Sequence, residues 1–255
     1  MQRKQKSIKC RAHTAWTKWR VWALCALLAP SGALAVANPV TPWPVDPKAG
    51  IPASWKAQYH PDIKAHTQFT LLQKGEQTVL QADAIQAYGT LVHAFAAPRV
   101  FNELQWDWQV LTHPAGANLK TKEGDDAGAK VCVFIQIDES RLGLGTRLAL
   151  GAARTFSGEP LPAATLCYVW GTPGAAVGQV FDNPYTERVK NIVLRDVLPG
   201  GELLREQRDV QADARKAFGK ELPDGPVKFT GIALGADSDN TKSRAAALFG
   251  SIAAK

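Results

Sequence analysis

From Leu104 to Val110 apolar and polar side chains alternate without a break, with Leu104, Trp106, Trp108 and Val110 set against Gln105, Asp107 and Gln109. Successive side chains of a strand point to opposite faces, so this run predicts an extended strand with one buried face. The same period recurs along the chain. Phe69 with Leu71, Thr78 with Leu80 and Ala82, and Leu91 with His93 and Phe95 form short faces. Val131 to Ile137, Leu166 with Tyr168 and Trp170, Val189 to Arg195, Val227 to Leu234 and Ala245 to Ile252 continue it. About nine short strands separated by turn residues predict an all-β fold, a β-sandwich or jelly roll.

One helix stands out against this background. Asp209 can cap it, Val210, Ala214, Ala217 and Phe218 recur at helical spacing, and Gly219 stops it. The segment Arg141 to Leu161, with its recurrent glycines, reads as a long loop. Its Gly143-Leu-Gly145 is no dinucleotide fingerprint, because Leu148 stands where the third glycine belongs and no βαβ unit surrounds it.

The 255 residues carry a net charge of +7, which taken whole would suggest nucleic acid or an anionic surface. That charge sits in residues 1–20, in Arg3, Lys4, Lys6, Lys9, Arg11, Lys18 and Arg20, and the remainder of the chain is neutral. A neutral domain without a basic stripe speaks against nucleic acid as a partner. The basic start is followed by the apolar run Val21–Ala29, then Pro30-Ser31-Gly32 and the small-residue patterns Ala33-Leu34-Ala35 and Ala35-Val36-Ala37. This is the pattern of a secretory signal peptide over 1–37 and predicts a periplasmic or secreted protein. No later stretch is long and apolar enough for a transmembrane segment. Residues 38–65 hold Pro39, Pro42, Pro44, Pro47, Pro52 and Pro61 and read as an extended leader, not a strand, with Trp43, Trp55 and Tyr59 either pinning it or leaving it a tether. Residues 66–255 are then expected to form a single β-sandwich domain.

Two cysteines lie beyond the signal, Cys132 and Cys167. In an oxidising compartment they form a candidate disulfide; the alternative is a pair of buried thiols.

At the tryptophan strand the chain begins to resemble a known family. The features that carry the likeness are Leu104-Gln-Trp106-Asp-Trp108-Gln-Val110, Lys122-Glu-Gly124-Asp125-Asp126 leading to Val131-Cys-Val133, and Leu166-Cys-Tyr168-Val-Trp170. They continue through Lys190-Asn-Ile192-Val-Leu-Arg195, Glu206-Gln-Arg208-Asp-Val210 with Asp213 and Phe218-Gly219, and Gly231-Ile232-Ala233. Asp237-Ser-Asp239-Asn240-Thr241 and Ala247-Leu-Phe249-Gly250-Ser-Ile252 complete the ordered set. Over residues 66–252 the chain resembles the exported bacterial proteins grouped as domain of unknown function 3047. The resemblance implies a β-sandwich similar to galactose-binding-like carbohydrate modules and no established activity.

The candidate ligand residues fall into three groups. Trp106, Trp108, Tyr168 and Trp170 could offer flat faces on which sugar rings stack, although large aromatics on an apolar face more often build a core. Asp125 and Asp126 beside Gly124, and Asp237, Asp239 and Asn240, form two acidic turns that could ligate Ca2+ or simply close turns. Arg208 with Asp213 and Glu206 could clamp a ligand or tie the single helix to the sheet. No Gly-x-Ser-x-Gly elbow occurs, and His60, His66, His93 and His113 lack metal-ligand spacing. These residues favour a non-catalytic module that binds a saccharide or cell-envelope component. A glycan hydrolase using Asp125 or Asp126 with Asp237 or Asp239 is the alternative, and a periplasmic structural or interaction protein the third.

Overall fold

A computed structural model describes residues 38–158, 160–197 and 201–255, so the expected signal peptide lies outside the described residues. The alternating runs form strands, arranged in two sheets. Numbered along the chain, the first sheet has the order β1 (Trp55–Gln58), β4 (Thr90–Arg99), β11 (Phe229–Gly235), β6 (Ala129–Ile135), β7 (Ala164–Trp170), β9 (Thr186–Arg195) and β8 (Val180–Asn183). The second has the order β10 (Leu204–Asp209), β5 (Glu103–Thr112), β12 (Arg244–Ala254), β3 (Gln77–Ile85) and β2 (Gln68–Lys74). Neighbours are antiparallel except β7 and β9, which run parallel. The expected two-sheet β fold is the observed one.

The tryptophan strand holds the sheets together. Trp106 of β5 lies 5.2 Å, centroid to centroid, from Tyr168 of β7, and Trp108 lies 5.3 Å from Trp170. All four are at most 1 % exposed, so none offers a face to a ligand. The sugar-stacking expectation for this quartet is therefore corrected. Inward-facing rings from two sheets fill the space between them, because that is where large apolar area leaves water. Three of their four polar groups are met inside: Trp108 Nε1 donates to Glu206 Oε1 at 3.1 Å, Trp170 Nε1 to the Val197 carbonyl at 2.8 Å, and the Tyr168 hydroxyl to Asp213; Trp106 Nε1 has no hydrogen-bond partner among the described residues.

The helix expected after Asp209 forms as α2 (Val210–Phe218), capped by the Asp209 carboxylate on Ala212 N–H at 2.9 Å. Asp213 faces inward from it. Arg208 Nε and Nη2 donate to its two oxygens at 2.9 and 2.8 Å, and the Tyr168 hydroxyl donates to it at 3.0 Å. Arg208 is thus a strut between β10 and α2, and its role as a ligand clamp is corrected.

Two other expectations change. Residues 141–161 are not a loop: α1 (Leu144–Ser157) forms there, making two α-helices among the described residues in place of one. Gly145 and Gly151 each weaken a helix by about 1 kcal/mol relative to Ala, which hides the pattern. The stop is nevertheless visible in Gly158, whose φ of 69° closes the helix in the left-handed conformation. The proline-rich leader also holds a strand, since β1 pairs antiparallel with β4, Trp55 opposite His93. Residues 53–60 are free of proline, so their N–H groups can join an edge. Trp43 and Trp55 pin the leader: their rings lie 4.9 Å apart, and their Nε1 groups donate to the Gly250 and Thr41 carbonyls at 2.8 and 3.0 Å.

Candidate functional site: a cleft on the outer face of the seven-stranded sheet

β6 and β11 are antiparallel neighbours, with Lys130 opposite Gly235. That register sets the segment entering β6 beside the segment leaving β11 and so brings the two acidic turns together. Asp126 Oδ1 accepts from the Asn240 N–H at 3.1 Å, and its Oδ2 accepts from the N–H and hydroxyl of Thr241 at 2.7 and 2.5 Å. Asp237 Oδ1 accepts from the Ala127 N–H at 2.8 Å, while its Oδ2 takes the Lys130 ammonium. Asn240 Nδ2 donates to the Asp125 carbonyl at 3.1 Å. The loop entering β6 is close-fitting: a Cβ on Gly124 would stand 2.6 Å from the Asn118 backbone nitrogen, so no other residue fits there without moving the chain.

These turns close one end of a cleft of about 940 Å³ over the outer face of the sheet. Residues of β6, β7 and β11 that point away from the sandwich core, Cys132, Cys167, Val169 and Ala233, line it, with Phe134 beside them. Cys132 and Cys167 are direct cross-strand partners and are joined as a disulfide, with a Cα–Cα distance of 4.0 Å. α1 forms a wall through Thr146, Ala149, Leu150 and Ala153, four positions on one helical stripe. The turn between β8 and β9 supplies the rim: Asn183 Nδ2 donates to Asp125 Oδ2 at 2.5 Å, and the Tyr185 hydroxyl stands 3.0 Å from Asn240 Oδ1.

The electrostatics at the acidic end are unbalanced. Four carboxyl groups, Asp125, Asp126, Asp237 and Asp239, meet one ammonium, Lys130. Burial alone would lower the Lys130 pKa, but Asp237, Tyr88 and Asp125 together raise it, and it stays charged. Burial pushes the Asp125 carboxyl up to about 7 against the pull of Lys130 and Asn183. Asp239 is also raised, by burial first and then by the charges of Asp237 and Asp126. Asp237 is raised too, by burial against the pull of Lys130. The cluster therefore sets a carboxyl with a pKa of about 7 beside carboxyl groups held by N–H donors, an arrangement able to accept hydrogen bonds from hydroxyls or exchange a proton.

Of the residues singled out in the sequence, Asp125, Asp237, Asp239 and Asn240 line the cleft, and Asp126 lies behind them with 1 % exposure. Trp106, Trp108, Tyr168, Trp170 and Arg208 are not brought to it. Lys130, Phe134, Asn183 and Tyr185 were missed. Asn183-Pro184-Tyr185 is a turn signal between two strands and could have marked the rim; Lys130 and Phe134 carry no local signal beyond facing outward on β6.

Two solved structures have related outlines. One is a meso-active, thermostable cellulase derived from a Rhodothermus marinus cellulase by mutations in its active surface, at 12 % identity and TM-score 0.39, covering 80 % of this chain and 97 % of that one. The other is the xyloglucanase domain of a type three effector from Sinorhizobium fredii in complex with cellobiose, at 11 % identity and TM-score 0.40, covering 81 % and 100 %. At these TM-scores neither likeness bears on what this chain does. No curated protein matches the chain. Residues 53–253 match the family described as Protein of unknown function (DUF3047), and the chain belongs to that family.

Proposed function

We propose that the cleft binds a saccharide of the cell envelope, in a protein exported under the signal sequence of residues 1–37. The observation that carries this reading is the cleft itself, where amide, hydroxyl and carboxylate groups from separate segments converge around an apolar floor. Hydroxyls of a sugar ring need acceptors and donors of the kind that Asp125, Asn183, Asn240 and Thr165 provide, while its C–H faces need flat apolar surface such as the rings of Phe134 and Tyr185. The test is calorimetry of the purified protein with fragments of envelope saccharides. Binding that weakens at least tenfold in Asn183→Ala and Tyr185→Ala supports the reading. Failure of every fragment to bind, or equal binding by both variants, would overturn it.

A second reading, hydrolysis of the bound glycan, is favoured by one observation: Asp125, raised to about 7 in the cleft, has the protonation behaviour of a general acid beside other carboxylates. Release of reducing ends from a bound fragment, lost in Asp125→Asn with binding kept, supports it. Binding without turnover leaves the non-catalytic module.

A further inference from the structure

We propose that Asp126, Asp237 and Asp239 form a binding site for a hard divalent cation, with Ca2+ the ion of matching chemistry. One carboxylate oxygen from each residue lies within 4.8 Å of the others. Oxygens bound to one Ca2+ at about 2.3–2.6 Å can be at most about 5 Å apart, so the three already stand at coordination spacing. A second observation points to a ligand. Asp239 is 9 % exposed, and its Oδ1 is buried and accepts no hydrogen bond among the described residues. A buried carboxylate oxygen without a partner is costly, and in native proteins such groups are met by a donor, a water or an ion.

The donors around the other two carboxylates leave room for that ion. Asp126 is aimed by the N–H groups of Asn240 and Thr241 and the Thr241 hydroxyl, and Asp237 by the N–H of Ala127. Each carboxylate oxygen has two lone pairs, and Asp126 Oδ1 and Asp237 Oδ1 each accept a single bond from these donors. Fixed N–H donors behind metal-binding carboxylates orient them in many sites. Among the described residues Lys130 forms its ion pair with Asp237 Oδ2, and one ammonium cannot balance three carboxyl groups. The cation would tie the segment entering β6 to the segment leaving β11 and so hold the acidic end of the cleft in shape. The proposal does not require that the cleft hold a saccharide.

The experiment uses chelator-treated protein without saccharide, melted and titrated calorimetrically with CaCl2, MgCl2 and MnCl2. A saturable heat with Ca2+ and a midpoint raised by about 5–10 °C at 100 times Kd are expected. Asp239→Asn should lose both responses while melting no lower than the parent in chelator, since the substitution removes a buried charge and the amide oxygen can still accept from the residue's own N–H. Asp224→Asn, an exposed carboxylate in the segment before β11, should respond like the parent. Absence of heat and of any midpoint shift at about 10 mM of all three cations, or an undiminished response in Asp239→Asn, would overturn the proposal. Saccharide binding measured in parallel shows whether the cleft reading stands independently.

Discussion

β6 and β7 build two surfaces from one alternating pattern, and the two differ in how completely they are filled. On the inner face Val131, Val133, Leu166, Tyr168 and Trp170 pack against the opposite sheet with at most 1 % exposure. On the outer face Lys130, Cys132, Phe134, Thr165, Cys167 and Val169 border an open cleft. The inner face also satisfies its charges: Asp213 receives two bonds from Arg208 and one from Tyr168. The outer face leaves charge over, with four carboxyl groups to one lysine and an unpartnered oxygen on Asp239. A core gains stability from closure, and the groups left over on the outer face are the ones that the proposed ligand would satisfy.

The contrast can be broken most severely from the inside. Trp106→Ala should cost about 3–5 kcal/mol, because the void lies between two sheets that cannot both collapse into it. Urea unfolding measures this, and a loss below about 1 kcal/mol would show that the ring is not clamped as the burial indicates. On the outer face the disulfide is the covalent contribution. Replacing both cysteines, Cys132→Ala with Cys167→Ala, should cost about 3–4 kcal/mol, from a closed loop with a sequence separation of 35. An unchanged unfolding midpoint after replacement or reduction would show that the bridge does not constrain the unfolded chain.

Asp213→Ala comes next at about 2 kcal/mol, since it strands the Tyr168 hydroxyl and a guanidinium that is one-third exposed. Acid should loosen the leader by a smaller amount. His93 Nε2 accepts from the Thr41 N–H at 3.1 Å and lies 2.9 Å from its hydroxyl, and burial lowers the His93 pKa. The native state therefore binds fewer protons here than the unfolded chain, so stability is present at high pH and falls as pH drops below about 6.5. Burial lowers His113 as well, with the same sign. His93→Gln, whose amide oxygen can still accept, should flatten part of the slope in unfolding curves between about pH 8 and pH 5; a slope identical to the parent's would remove His93 from the account.

The smallest effect on stability is expected at the cleft rim. Tyr185→Ala should leave the unfolding free energy within about 0.5 kcal/mol, because the ring is more than half exposed. On the proposed reading of the cleft, the same substitution should weaken saccharide binding at least tenfold. If it instead unfolds the protein, the rim is part of the packed structure and the distinction between the two faces narrows.

The strand pattern was legible where alternation is strong. Leu104 to Val110 announces β5, and Asp209 with Gly219 brackets α2, because period and capping are local consequences of backbone geometry. α1 was hidden because Gly145 and Gly151 weaken its helical signal, and its buried stripe is modest, with Leu150 its one fully buried residue. β1 was hidden because its edge position between prolines leaves it half a strand's worth of signal. The acidic turns were visible as residue types, yet more than 100 positions separate Asp126 from Asp237.

By itself, then, the sequence determined the all-β class, the tryptophan strand, the capped second helix and the two acidic turns, all of which rest on interactions within a few residues. Tertiary structure decided that the tryptophans face the core and not a ligand, since alternation says that two faces exist but not which one the second sheet covers. It also decided that Asp125, Asp237, Asp239 and Asn240 share one cleft, because only the β6–β11 register brings the two distant turns together.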